Sequence, residues 1–379
     1  MDLEVDAVPL RHKLAIPFRV GLLVTAGIWL TSFVFHGRSV LSQRRNYVPV
    51  DVYLPPWTEH SLSHSPIPPK KRVPGYQFGY CVAAILTVTW GLGFFFFLRY
   101  TRGDIWALYA HPLYPSLWFL SLVILLLVPL PRSITQIRNV LRKHILGVVF
   151  LAKVSSAYTF MDMAIGEIFT SYAKAMGDSW VAMCAVRGGI FHSTLRPDQM
   201  CNGRLYVPLS IAYPYFICVL QSLRLAFSST TSNERRNNLL NAGKHATAFP
   251  VILLSARLRS TQNELPILWG HGKLFWAWIF TAIVNSMYSF IWDVFFDWKV
   301  PFYPSIRAMY RSLWPRGIPA IFYFLAIIFN FVLRITWSFK LHPQLTHIHN
   351  FEMGIFIFQL LEILRRCVWL CFHIDAHYS

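Results

Sequence analysis

Long uncharged runs alternate with short polar and basic segments along the whole chain. Residues 78–98, 113–130, 205–223, 274–292 and 317–333 contain no Asp, Glu, Lys or Arg. Roughly 20 apolar residues of helix cross a hydrocarbon core of about 30 Å, so these runs predict membrane-spanning helices. Residues 20–35 add another. Arg11, Lys13 and Arg19 precede that run as in a signal peptide, but His36, Gly37 and Arg38 follow where small residues would mark cleavage, so it reads as a retained first helix. Four more segments, residues 146–160, 162–178, 245–256 with Pro250 inside, and 353–372, are apolar but interrupted by polar or ionisable groups. Charged and broken spans are where transport sites are found. The pattern predicts an all-α, polytopic transmembrane helix bundle of about ten helices, with the segmentation between residues 144 and 190 left open.

Composition agrees with the pattern. The 379 residues are 55% hydrophobic and 16% aromatic but only 14% charged, against about 25% charged in a soluble domain. That excludes an ordinary cytosolic enzyme, and the same apolar content excludes a disordered scaffold. Six cysteines are too sparse for a disulfide-built module. The net charge of +18 sits mostly in connecting segments, beside anionic headgroups, and implies a lipid bilayer rather than nucleic acid as the partner. Lys and Arg occur in loops on both sides under any alternating assignment, so orientation stays open. Enzyme signatures are missing: no Gly-rich phosphate loop, no His-Glu-x-x-His, no Cys-x-x-Cys and no Gly-x-Ser-x-Gly. No metal or cofactor is expected. His342, His347 and His349 read as loop residues, and Cys367 and Cys371 as packing residues at i, i+4.

The candidate chemistry lies in the ionisable residues of the apolar segments, which cost several kcal/mol in a bilayer unless paired or hydrated. Lys244 is read as opening a short helix after Asn241, Ala242 and Gly243; Asp293 closes an uncharged run, with Asp297 one turn later; Arg334 ends another. Glu362, Arg365, Arg366 and Trp369 fall at i, i+3, i+4 and i+7, one face of a helix. A bundle that joins these faces holds four cations, Lys244, Arg334, Arg365 and Arg366, with Glu167, Asp293 and Glu362 as counterions. The planar guanidinium fork suits tetrahedral oxyanions, so such a cluster reads as an anion site. Blander readings stand beside it: Lys244 and Arg334 snorkelling to headgroups, Asp293 and Asp297 at a helix edge facing water, Glu362 as a structural ion pair, and Trp337 and Trp369 as interfacial belt residues.

Several of these residues sit in runs with a further regularity. Pro214-Tyr215 through Leu220-Gln221-Ser222-Leu223-Arg224, then Leu240-Asn241-Ala242-Gly243-Lys244, then Asn285-Ser286 with Tyr288-Ser289-Phe290-Ile291-Trp292-Asp293 and Asp297-Trp298, then Leu333-Arg334 with Trp337, then Glu362 with Arg365-Arg366 and Trp369, resemble in order and spacing the EXS domain. That domain is the membrane part of the eukaryotic phosphate exporters. The resemblance covers roughly Asp162 to the C-terminus, and the first helix is also similar. Asp162, Gly166-Glu167, Thr170-Ser171-Tyr172 and Lys174 are similar to the family's helix that lines the substrate path, with Glu167 where Asp is usual and Thr170 where Asn is common. Residues 372–377 depart from the family's Arg-x-Glu-x-Glu-His pattern, so no site role is carried over there.

The resemblance implies an inorganic phosphate path through Lys244, Arg334, Arg365 and Arg366, lined or balanced by Glu167, Thr170, Asp293 and Glu362, with Trp337 and Trp369 as gates. It implies two regions, residues 1–143 with N-terminal helices and loops, and residues 144–379 as a six-helix transport module. Large family members begin with a soluble regulatory domain, which this chain is expected to lack, as in the short fungal ER-retention-defective branch. That branch implies a multi-pass Golgi membrane protein, cycling with the ER, that returns luminal phosphate released by glycosylation to the cytosol and so supports retention of glycosyltransferases and ER residents. A homodimer, and Golgi glycosyltransferases or coat machinery, are the expected protein partners. The rival reading is a non-transporting sorting receptor that uses Arg235-Arg236 and Lys70-Lys71-Arg72 for anionic partners and has no need of the intramembrane cations.

Overall fold

The computed structural model describes residues 16–44, 75–101, 159–188, 202–262, 272–301, 318–336 and 352–378. The candidate runs 113–130 and 146–160, the boundary at residues 143 and 144, Trp337 and the basic run Lys70-Lys71-Arg72 lie outside them. Every described element is helical. The chain forms α1 (Ile16–Arg44), α2 (Gly75–Thr101), α3 (Thr159–Ser171), α4 (Ala173–Gly188), α5 (Gly203–Ser228), α6 (Ser232–Ala246), α7 (Ala248–Gln262), α8 (Lys273–Ile291), a π-helical turn (Trp292–Asp297), α9 (Ala320–Arg334) and α10 (Glu352–Tyr378). Four stretches are long and apolar enough to cross a bilayer: Ile16–Val40, Gly79–Thr101, Gly203–Ser228, and Lys273–Asp297, which joins α8 to the π turn. The chain is a polytopic, all-helical membrane protein.

Several hydroxyl groups of α1 and α2 are satisfied within their own helix. Thr25, Ser32, Thr87 and Thr101 each donate to the carbonyl four residues back, at 2.7–2.9 Å, so these hydroxyls do not face hydrocarbon unsatisfied. The outward faces are apolar: Val88, Leu92, Phe95 and Phe96 on α2, Trp276 and Phe280 on α8, and Phe322, Leu325 and Ile328 on α9 are all exposed. In water such faces would be a liability, and in lipid they are the solvent contact.

α10 is the central element. It packs against α1, α3, α9 and the π turn, while α5 gathers α3, α4, α6 and α7 on the other flank. Two glycines allow close approach. A Cβ at Gly79 would collide with Ser32 Oγ, between α1 and α2, and one at Gly166 would lie 2.8 Å from Gln221 Oε1 and 3.2 Å from Cys218 Sγ, between α3 and α5. The second approach carries Glu167, the next residue, into the bundle. A buried carboxylate fastens the far end of α10: Asp375, fully buried, accepts from Arg38 Nη1 of α1 at 2.7 Å and from the Tyr323 hydroxyl of α9 at 2.8 Å.

Two helix assignments need correction. Lys244 does not open a helix; it lies in the last turn of α6, and the run 245–256 is divided at Thr247. The sequence of α6 is polar, so a search for apolar runs passes over it, yet Thr231 caps it by accepting from Glu234 N at 3.3 Å. The segment 162–178 is likewise broken at Tyr172, between α3 and α4.

Candidate functional site

Five elements bring their ionisable residues to one place. α10 contributes Glu362, Arg365, Arg366 and Trp369 from successive turns of one face, as the i, i+3, i+4, i+7 spacing requires. α9 contributes Asn330 and Arg334, again one turn apart, α3 contributes Glu167 and Ser171, α6 contributes Lys244 and His245, and the π turn contributes Asp293.

Two carboxylates organise the cations. Glu167 is ion-paired with Lys244 and lies 3.1 Å from His245 Nε2 and 3.2 Å from Arg366 Nη1. Asp293 accepts through Oδ2 from Arg334 Nη2 at 2.5 Å, from Asn330 Nδ2 at 3.0 Å and from Arg365 Nη1 at 3.4 Å. Glu362 holds Arg365 through both carboxylate oxygens, one of them accepting from Nε at 3.0 Å. Ser171 joins the halves: its hydroxyl donates to Glu362 Oε1 at 3.3 Å and accepts from Arg366 Nε at 3.4 Å. Thus Lys244, Arg334, Arg365 and Arg366 converge through shared partners, and none of the four is turned to lipid.

Burial decides between the alternatives. Asp293 is 0% exposed, so it is not a water-facing helix edge, and Lys244 at 4% does not snorkel. Arg365 and Arg366 are buried, as is Trp369, which therefore is no belt residue. Asp297 is half-buried and binds neutral groups instead of cations, accepting from Trp292 Nε1 at 3.1 Å and Trp369 Nε1 at 3.0 Å. Thr170 is buried but not part of the cluster, because its hydroxyl turns back to the Glu167 carbonyl at 2.7 Å. Trp337 falls outside the described residues.

The cluster is not fully satisfied internally. Arg334 Nε, Arg366 Nη1 and Asp293 Oδ1 are buried without a hydrogen-bond partner; Arg366 Nη1 is near Glu167 but misaligned for a hydrogen bond. Guanidinium donors without an aligned hydrogen bond at low dielectric are costly, and their planar fork suits an oxyanion. Aromatic faces support the cations: Lys244 Nζ lies 5.5 Å from the Trp292 ring centroid and Arg366 Cζ 4.8 Å from that of Trp369. Among the described residues no group of three His, Cys, Asp or Glu side chains is placed to hold a metal ion.

Residues that sequence reasoning misses share one trait, that their partner is on another helix. Asn330 is visible as a lone amide one turn before Arg334, and His245 as the neighbour of Lys244. Ser171 falls in the stretch similar to the family's path-lining helix but is not singled out there, since a serine in an apolar helix ordinarily bonds its own backbone.

The chain is similar to known proteins. The model of the EXS family matches residues 14–379. The chain is 42% identical to Protein ERD1 homolog 2 of Schizosaccharomyces pombe, over 99% of both chains, and 31% identical to Protein ERD1 homolog 1 of the same yeast, over 59% of this chain and 58% of that one. It is 30% identical to human Solute carrier family 53 member 1 over 36% of its own length and 20% of the human protein. With the family model matching nearly the whole chain and the cation cluster inside the matched region, this chain belongs to the EXS family.

Proposed function

We propose that this chain carries inorganic phosphate across the Golgi membrane, through a path in which Lys244, Arg334, Arg365 and Arg366 bind the anion. The observation that carries the reading is a cluster of four buried cations in which two guanidinium nitrogens, Arg334 Nε and Arg366 Nη1, make no aligned hydrogen bond, the latter being held only by its ion pair with Glu167. Phosphate offers several acceptor oxygens and enough charge to compete for such donors. Glu167, Asp293 and Glu362 hold the cations when the site is empty and keep phosphate from binding so tightly that it cannot leave. Trp369, lying against Arg366, acts as a gate, and Trp337 is proposed as another from its place in the family pattern.

The compartment and direction come from relatedness. The resemblance to the ER-retention-defective branch, with which the similarity to two proteins named as ERD1 homologues agrees, motivates a Golgi role in which luminal phosphate released by glycosylation returns to the cytosol, with protein retention following indirectly. The name of the human relative, a solute carrier, supports transport over a purely receptor role. The decisive experiment is phosphate flux into proteoliposomes containing the purified chain, with Arg365→Ala and Lys244→Ala at matched protein levels. Saturable flux that falls in both variants is expected. Folded wild-type protein that moves no phosphate above empty liposomes would overturn the reading in favour of a sorting receptor.

A further inference from the structure

Asp297 differs from the other acids of the site. Among the described residues it pairs with no Lys or Arg; its two oxygens instead accept from two neutral indoles, Trp292 Nε1 at 3.1 Å and Trp369 Nε1 at 3.0 Å. Each of those rings lies against a cation of the proposed path, Lys244 for Trp292 and Arg366 for Trp369. Each ring is also backed by a second aromatic. Trp292 stacks on Phe296 at 4.3 Å between centroids, and Trp369 on His373 at 4.6 Å. The backbone closes the same contact from behind, with Trp298 Nε1 donating to the Trp369 carbonyl at 3.1 Å and His373 Nδ1 lying 3.0 Å from the Asp297 carbonyl. Asp293 and Asp297 both lie in the π turn, whose register is widened, with Trp298 N bonded to Asp293 O at 2.9 Å. Asp297 and Trp369 are joined directly by the indole hydrogen bond, so the two sit together beside the cation cluster.

A carboxylate that commits both oxygens to indole N–H groups orients rings; it does not balance charge. We propose that Asp297 is a positioning residue that clasps Trp292 and Trp369 into a collar closing one side of the cation cluster, and that loosening this clasp opens that side to the passing anion. The identity of the anion rests on the phosphate reading above, whereas the clasp itself rests on the contacts of Asp297. Asp297→Asn keeps one acceptor but presents an amide donor to the other indole, so one side of the clasp is lost. Trp369→Phe removes the same hydrogen bond from the ring side while keeping an aromatic ring.

The test uses two readouts on the full chain in oriented proteoliposomes. Ser171→Cys, in the centre of the cluster, is modified by a small charged methanethiosulfonate added to either face, and labelling at that position is followed by mass spectrometry. With Asp297→Asn, and separately with Trp369→Phe, labelling is expected to accelerate about threefold to tenfold from one face only, the loss of a single hydrogen bond. The double variant is expected to label no faster than the quicker single one, because both remove one interaction. Phosphate flux without the Ser171 change should rise in parallel, with half-saturation shifted by less than about twofold since the cations are intact. Unchanged labelling, equal acceleration from both faces, or additive effects would overturn the clasp. If labelling responds as expected but the wild type moves no phosphate, the clasp stands and the phosphate reading falls. Should Asp297→Asn fail to fold, Trp369→Phe carries the same test.

Discussion

Arg365 shows most clearly what a single side chain must do here. It grips Glu362 of its own helix and reaches Asn330 Oδ1 at 3.1 Å and Asp293 on two other elements. Only a planar fork with several fixed donors spans these partners, so Arg365→Lys should behave almost as badly as Arg365→Ala despite keeping the charge. Phosphate flux per folded protein is expected to fall about tenfold or more in both, and a Lys variant within about twofold of wild type would contradict the geometry. Glu167→Gln makes the opposite test. Removing the anion that competes for Lys244 and Arg366 should lower the phosphate concentration giving half-maximal flux while also lowering the maximum. Flux measured across a phosphate series separates the two effects. At this scale the sequence is informative about residue type and poor about environment. Charges in apolar runs mark Lys244, Arg334, Arg365 and Arg366, but whether the Asp293 carboxylate faces water or these cations depends on α9 and α10, far away in the chain. Asp297 reads as an edge residue because its partners, two tryptophans, carry no charge to suggest pairing.

Among the elements, apolar length is the reliable signal and polar helices are the blind spot. The uncharged runs within the described residues correspond to α2, α5, α8 and α9, since a helix satisfies its own backbone in lipid. α6 is hidden because its residues are polar, although its Thr231 cap is there to be read, and the π turn has no sequence signature, arising from what packs around it. The fastening of α10 to α1 and α9 at Asp375 is also not legible, being a contact between residues 337 apart in sequence. It gives a prediction belonging to packing rather than to the site. Asp375→Ala leaves the Arg38 guanidinium without its partner and should cost about 3–5 kcal/mol, seen as a lower apparent melting temperature in detergent. Tyr323→Phe, which removes one hydrogen bond to the same carboxylate, should cost only about 1 kcal/mol. In protein that survives, the phosphate concentration for half-maximal flux should not move.

For the molecule as a whole, a ligand that engages a site assembled from α3, α6, α9, α10 and the π turn must stabilise all of them together. Phosphate at about 100 times its dissociation constant should add about 2.7 kcal/mol to the stability of the bundle, and Arg365→Ala should abolish the shift. Thermal unfolding in detergent with phosphate checks this, and a shift retained in the variant would place the binding elsewhere. The internal carboxylates have one more consequence. Because Glu167, Asp293 and Glu362 already neutralise most of the buried cations, the unloaded bundle is close to electrically self-sufficient. A carrier whose vacant site exposed bare charge to the bilayer interior would have to reload before each return and would act as an obligatory exchanger. On the proposed phosphate reading, a carrier that brings its own counterions can return unladen, and the expected behaviour is that of a uniporter, draining a compartment into phosphate-free solution as readily as into phosphate.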